Sequence, residues 1–196
     1  MKPDDLPSAG TVFVHDVPGI GRFSLRQLDL MRDVTLLHRW LTGAHAVFWG
    51  MQTATPEAVA DYFRRLDENR HAQALIGCCA GLPVFLLETY DPRHDPLAAH
   101  YEAQPGDKGM HFLTAPPERP VHGFTRAVMG VIQAWLFSDP GVRRIVVEPA
   151  VANDKIHPIN LDAGFVYQCQ IDLPGKRAWL AFCRREDFAA QAEARR

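Results

Sequence analysis

His111 and Glu148 are the two side chains whose type and setting best suit proton chemistry. His111 sits in residues 108–115, KGMHFLTA, a run that reads as a strand stopped by Pro116-Pro117. Imidazole titrates near neutrality, so a histidine that faces a ligand can accept a proton from a nucleophile and give it back. Glu148 ends residues 144–148, RIVVE, a short apolar strand of the kind buried at a sheet centre. A carboxylate in that setting is costly unless it is partnered. Four readings stand for it: it orients His111, takes a proton itself, binds a substrate ammonium, or caps nearby amides. For His111 the competing reading is a core histidine bonded to backbone, and spacing alone does not choose.

Other constellations carry less. His38, Trp40 and Trp49 could wall an apolar pocket for an alkyl chain, or belong to the ordinary core. Asp91, His94, Asp95 and His100 share a loop but lack H-E-x-x-H or any tight ligand spacing, so a solvated loop is expected and no metal site. Without a G-x-S-x-G elbow or a Walker loop, serine-hydrolase and nucleotidase readings fall away. Cys78, Cys79, Cys169 and Cys183 contain no C-x-x-C pair and are expected to be reduced thiols.

The elements that must position these groups follow from periodicity. Residues 1–20 hold three prolines and read as an irregular lead-in. Phe23 and Leu25 alternate with polar neighbours, predicting a strand over residues 21–27. Asp29 can cap a helix carrying Leu30, Val34, Leu37 and Leu41, and Thr55-Pro56 opens a second one to about residue 69. Residues 72–79 and 83–90 read as a hairpin across Ala80-Gly81. A helix follows, carrying Phe124, Val128, Val131, Ile132, Trp135 and Leu136, and another is expected from about Asn153 to Ala163. Two strands, residues 165–173 and 177–183, close the pattern around Pro174-Gly175, and a charged tail over 189–196 is expected to fray. Interleaved strands and helices with hairpin-like neighbours demand a mixed α/β sheet with helices on its faces. One domain over residues 21–188 fits, with no repeat and no linker.

Bulk properties bound the partners. A chain of 196 residues with 47% hydrophobic and 22% charged residues can bury a full core without staples. With 21 basic against 23 acidic side chains, the net charge of −2 gives no field to hold a phosphate backbone, so nucleic acid is not an expected partner. No apolar run approaches a membrane span, and residues 1–10 lack the apolar stretch of a signal peptide. A cytoplasmic location is expected.

Several segments, taken in order, resemble one family. Asp107-Lys108-Gly109-Met110-His111-Phe112-Leu113 resembles the G-x-H-x-L strand of the siderophore-pathway N-acyltransferases (aerobactin, alcaligin and mycobactin type) of the GNAT superfamily. Trp135-Leu136-Phe137-Ser138-Asp139-Pro140, then Arg143 to Pro149, then Asn153, resembles a second stretch of that branch. Leu161-x-x-Gly164-Phe165 is similar to the L-x-x-x-G-F end common to GNAT proteins, one residue shorter here. His38-x-Trp40, Phe48-Trp49, Pro83-Val84-Phe85, Tyr90-Asp91-Pro92 and Leu173-Pro174-x-Lys176-x-Ala178 extend the likeness from about Gly21 to Phe188.

The resemblance implies a GNAT fold, a mixed central sheet of about seven strands flanked by about four helices. It implies direct acyl transfer from acetyl- or succinyl-coenzyme A, a co-substrate and not a resident cofactor. The acceptor would be hydroxyputrescine, hydroxycadaverine, hydroxylysine or hydroxyornithine, and the product a hydroxamate. His111 and Glu148 match the family's catalytic pair. Phe112, Leu113 and Thr114 would meet the pantetheine arm. Arg119, Gly123, Phe124, Thr125 and Arg126 would meet the pyrophosphate at a helix start, and Asn153 the coenzyme arm. The phosphate stretch has one glycine and an extra spacer compared with the usual GNAT pattern. His38, Trp40, Trp49 and Tyr90 would line the acceptor pocket. An N-hydroxylating flavoenzyme upstream and a siderophore synthetase downstream are implied partners, with a monomer or homodimer left open. Two alternatives remain: a GNAT enzyme with another amine acceptor, and a non-catalytic acyl-CoA-binding protein.

Overall fold

The computed structural model describes residues 10–117 and 119–194, with side chains to residue 191. Eight strands hydrogen-bond in the order β1-β2-β3-β4-β5-β6-β8-β7. The chain groups into two compact units, Met1–Glu88 with Phe112–Val128, and Thr89–His111 with Met129–Arg196.

In the first unit, β1 (Thr11–Val17) pairs antiparallel with β2 (Gly21–Gln27), and β2 with β3 (Ala72–Cys79). A two-residue turn leads into β4 (Leu82–Tyr90). Ala80 and Gly81 both have positive φ, 48° and 79°, the backbone that matches the right-handed twist of a hairpin. Helix α1 (Leu30–Leu41) starts where the Asp29 side chain accepts from the Met31 N–H, and α2 (Pro56–Glu68) where Thr55 accepts from Ala58. Their apolar faces meet one face of β3, with Leu37, Leu41, Val59, Phe63 and Ile76 fully buried or nearly so. Arg26 and Asp33, both buried, form a bidentate pair at 2.7 and 2.8 Å.

In the second unit, the first residues of β5 (Asp107–Thr114) pair parallel with β6 (Arg144–Val147). β6 pairs antiparallel with β8 (Lys176–Arg184), which pairs antiparallel with β7 (Val166–Leu173). Arg144 clamps Asp107 bidentately at 2.7 and 2.6 Å, pinning the start of β5 to the start of β6. Helix α3 runs Phe124–Leu136 and α4 His157–Asp162. Gln133 on α3 donates to Ala163 O at 2.8 Å, tying it to the end of α4.

Three expectations need correction. Thr11–Val17 is a strand, not irregular lead-in, because its backbone groups pair along β2; residues 1–9 lie outside the described ones. The region expected to fray is helix α5 (Arg185–Ala194), held at its start by Asp187 accepting from Arg184 N–H. Arg185 donates to the carbonyls of Phe137, Asp139 and Val142, and Phe188 packs on Phe137, so the start of this helix, before residue 189, is anchored by tertiary contacts; residues 195–196 lie outside the described ones. The α4 helix begins at His157, four residues later than expected, because Asn153 belongs to a preceding turn in which Ile156 N–H donates to Asn153 O. Among the described residues the fold has eight strands and five α-helices, in line with the roughly seven and four expected. Among the described residues no helix is long and apolar enough to cross a membrane.

Candidate active site

Registered pairing between β5 and β6 ends at Gly109 and Val146, although β5 continues to Thr114. Beyond that point the β6 side of β5 is no longer committed to ladder hydrogen bonds with β6. Ala115 N–H, just after the strand, donates to Val84 O at 2.8 Å, so the far end of β5 stays attached to β4. His111 lies past the break, and Glu148 is the residue immediately after β6.

Their side chains meet: His111 Nε2 is hydrogen-bonded to Glu148 Oε1. The imidazole side chain is 39% exposed and the carboxylate side chain only 5%, so a ligand can reach the ring while the acid stays covered. Tyr90, buried at the end of β4, donates its hydroxyl to Glu148 Oε2 at 2.9 Å, and its ring lies 5.2 Å from that of His111. Lys176 Nζ donates to Glu148 O at 2.9 Å and to Oε1 at 3.3 Å. A Cβ at Gly109 would overlap the Tyr90 ring, which explains a glycine two residues before the histidine.

These contacts set the charge on Glu148. Burial alone would raise its pKa, but the His111 charge and hydrogen bond, the Lys176 ammonium and the Tyr90 hydroxyl outweigh that and hold it at about 2. Burial and the Glu148 charge push the Tyr90 hydroxyl well above its ordinary value, so it remains a donor. An ionised carboxylate only accepts, so His111 Nε2 must carry a proton toward it. In the neutral ring Nδ1 is then the basic nitrogen. A carboxylate that fixes the tautomer and balances the imidazolium is the arrangement general-base histidines need.

The other predicted residues fall into separate places. Phe112, Leu113 and Thr114 occupy the end of β5, past the break. Exposed Arg119 precedes the turn at Gly123, whose φ is +78°; Phe124, Thr125 and Arg126 form the first turn of α3, with Phe124 packed on Phe23. Asn153 is half-buried and caps no helix. His38 Nε2 bonds Ala54 O at 3.1 Å, Trp40 is a core residue at 2% exposure, and Trp49 is half-buried beside that core. Tyr90, expected as pocket lining, directs its hydroxyl at Glu148. Asp91 and Asp95 cap two short 3-10 helices, Pro92–His94 and Pro96–Ala99.

Lys176 was not among the candidates. Its sequence signal was its place in the Leu173-Pro174-x-Lys176-x-Ala178 stretch of the family likeness, which assigns it no role until the pairing is known. Antiparallel β6 and β8 bring the start of β8 to the end of β6, and that register delivers the ammonium to Glu148.

Residues 29–173 match the family described as an acetyltransferase (GNAT) domain, and the chain belongs to that family. It is 31% identical over 86% of its length to the N-hydroxyputrescine acetyltransferase of Acinetobacter baumannii, covering 81% of that protein. It is 29% identical over 91% of its length to the N(6)-hydroxylysine O-acetyltransferase of Escherichia coli, spanning 58% of that longer chain. Among solved structures, an aminoglycoside acetyltransferase in complex with coenzyme A aligns with a TM-score of 0.76 at 23% identity, over 86% of this chain and 98% of that one, a likeness of fold.

Proposed function

We propose that this chain transfers an acetyl or succinyl group from acyl-coenzyme A to the N-hydroxylated amine of a small diamine or amino acid, yielding a hydroxamate for siderophore assembly. The carrying observation is the imidazole held on an ionised, buried Glu148 beside the break between β5 and β6. The names of the relatives, an N-hydroxyputrescine acetyltransferase and an N(6)-hydroxylysine O-acetyltransferase, support the acceptor class.

A hydroxylamine nitrogen is less basic than an alkylamine and is neutral at pH 7, so it can attack the thioester carbonyl without prior deprotonation. As the C–N bond forms, the nitrogen becomes cationic and must lose a proton. His111 Nδ1 accepts it, and Glu148 stabilises the resulting imidazolium through Nε2–H. Collapse of the tetrahedral intermediate breaks the C–S bond, and the imidazolium returns the proton to the leaving thiolate. Backbone groups of Phe112, Leu113 and Thr114 bind the pantetheine arm. Arg119, Gly123, Phe124, Thr125 and Arg126 bind the pyrophosphate, and Asn153 meets the coenzyme arm. His38 and Trp49 wall the acceptor site, with Trp40 behind them in the core. A single GNAT domain over residues 21–188, working in the cytoplasm between an N-hydroxylating flavoenzyme and a siderophore synthetase, completes the reading.

Thiol release on mixing acetyl- or succinyl-coenzyme A with a panel of hydroxylated and simple amines tests it. Release with hydroxyputrescine, hydroxycadaverine, hydroxylysine or hydroxyornithine is expected. Release only with unhydroxylated amines, or tight coenzyme binding with no turnover on any acceptor, would overturn it.

A further inference from the structure

β8 opens at Lys176, directly after Gly175, whose φ of +79° makes the turn from β7. Trp179 N–H donates to Pro149 O and Val151 N–H to Arg177 O, both at 2.9 Å, which continues the β6–β8 alignment past Glu148. Lys176 is thus held alongside Glu148 by backbone register. Its Nζ reaches both the Glu148 carbonyl and Oε1, and Oε1 is the oxygen that also accepts from His111. One carboxylate oxygen therefore serves an imidazole and an ammonium together.

We propose that Lys176 is a positioning residue: by supplying the countercharge to Glu148 at the oxygen shared with His111, it keeps the imidazole neutral and able to accept the nucleophile's proton. A buried carboxylate paired with an imidazole alone draws a proton onto the ring to form an ion pair, and the base is then already spent. With the ammonium present, the carboxylate is balanced before the ring is charged. Among the described residues, the other groups acting on Glu148 or on Tyr90 do not supply that charge. Tyr90, from β4, is a neutral donor to Oε2, and Asp95 and Tyr101 act on Tyr90 from beyond it with no positive charge of their own. This rests on the reading of His111 as the base.

The test follows the His111 imidazole by NMR in the full chain labelled at histidine, for the wild type, Lys176→Met, Lys176→Gln and Lys176→Arg, with His111→Gln used to assign the resonance. The pH profile of kcat with acetyl-coenzyme A and hydroxyputrescine is measured alongside. Lys176 is partly exposed, so the effect lies at the low end of the range for a close charge. Lys176→Met and Lys176→Gln should raise the His111 midpoint by about one pH unit and move the acid limb of kcat upward equally. Below the limb the rate then falls about tenfold relative to wild type, and it recovers at high pH. Lys176→Arg should restore the wild-type midpoint. An unmoved midpoint, or a rate loss uniform across pH, overturns the Lys176 proposal. A moved midpoint with a pH profile indifferent to His111→Gln leaves the Lys176 effect standing and overturns the assignment of His111 as base.

Discussion

Glu148→Gln should remove a pH-dependent share of the protein's stability, and the structure fixes its sign and size. In the folded chain the carboxyl is held at about 2, against 4.5 for the free group, a difference of roughly 2.5 units or about 3 kcal/mol. The folded state binds its proton more weakly than the unfolded state does. The stabilisation is therefore present above the unfolded value and disappears as pH falls through the folded one. Integrated, it amounts to about 3 kcal/mol at pH 5 and about 1 kcal/mol at pH 3. Urea unfolding followed by tryptophan fluorescence, on wild type and Glu148→Gln at several pH values from 5 to 3, isolates it. Carboxylates common to both chains cancel in the difference, and this range lies below the ordinary imidazole titration. The stability gap between the two proteins should narrow by about 2 kcal/mol over those two pH units. A gap that stays constant would mean Glu148 is not ionised against His111, Tyr90 and Lys176, and the proton-transfer scheme would lose its anchor.

His111→Ala should lower kcat by about 10²–10⁴-fold while coenzyme binding, read by calorimetry, stays unchanged; a near-normal kcat would remove the ring from the mechanism. Tyr90→Phe deletes a donor to a buried charge and should cost about 1.5–3 kcal/mol in urea unfolding, with a smaller fall in kcat than His111→Ala. No loss of stability would mean that another donor takes over Oε2. Ala80→Asn places a residue that tolerates left-handed backbone where φ is 48°. It should gain about 0.5–1 kcal/mol and raise Tm by roughly 2 °C without touching kcat, and a fall in Tm would contradict the turn geometry.

Where local chemistry decides an element, the sequence was legible. Asp29, Thr55-Pro56 and Ala80-Gly81 marked two helix starts and a turn, and each does that job in the structure. β1 escaped because Val12 and Val14 face solvent while Phe13 and Val17 lie on the half-buried face, so no apolar-polar alternation marks it, and pairing with β2 makes it a strand. Helix α5 escaped because its anchors, the carbonyls of Phe137, Asp139 and Val142, lie more than forty residues upstream of Arg185. His111 and Glu148 could be nominated by type and by family likeness. Their meeting across 37 residues follows from parallel register between β5 and β6, which no local pattern encodes. The contacts of Tyr90, nominated only for the acceptor pocket, and of Lys176, not nominated, were hidden for the same reason: each reaches Glu148 only once the neighbouring strands are in place.

The break in the sheet and the burial of Glu148 have a common origin. While β5 and β6 run paired, from Asp107 opposite Arg144 to Gly109 opposite Val146, their inner residues are ordinary core, with Ile145 and Val146 fully buried. Once that pairing stops, β5 has backbone groups to offer a ligand, and side chains past the break can turn toward one another. An ionisable group so close to the core is tolerated only if its partners arrive with it. Here they arrive from three strands: Tyr90 from β4, His111 from β5 and Lys176 from β8. Of these, Tyr90 is buried, while the His111 and Lys176 side chains keep 39% and 32% exposure. The tyrosine is therefore committed to holding the carboxylate, and the two exposed partners can respond to a ligand. On the proposed reading, a proton that reaches His111 meets a charge already compensated and a tautomer already chosen, so the site need not reorganise when the nucleophile attacks.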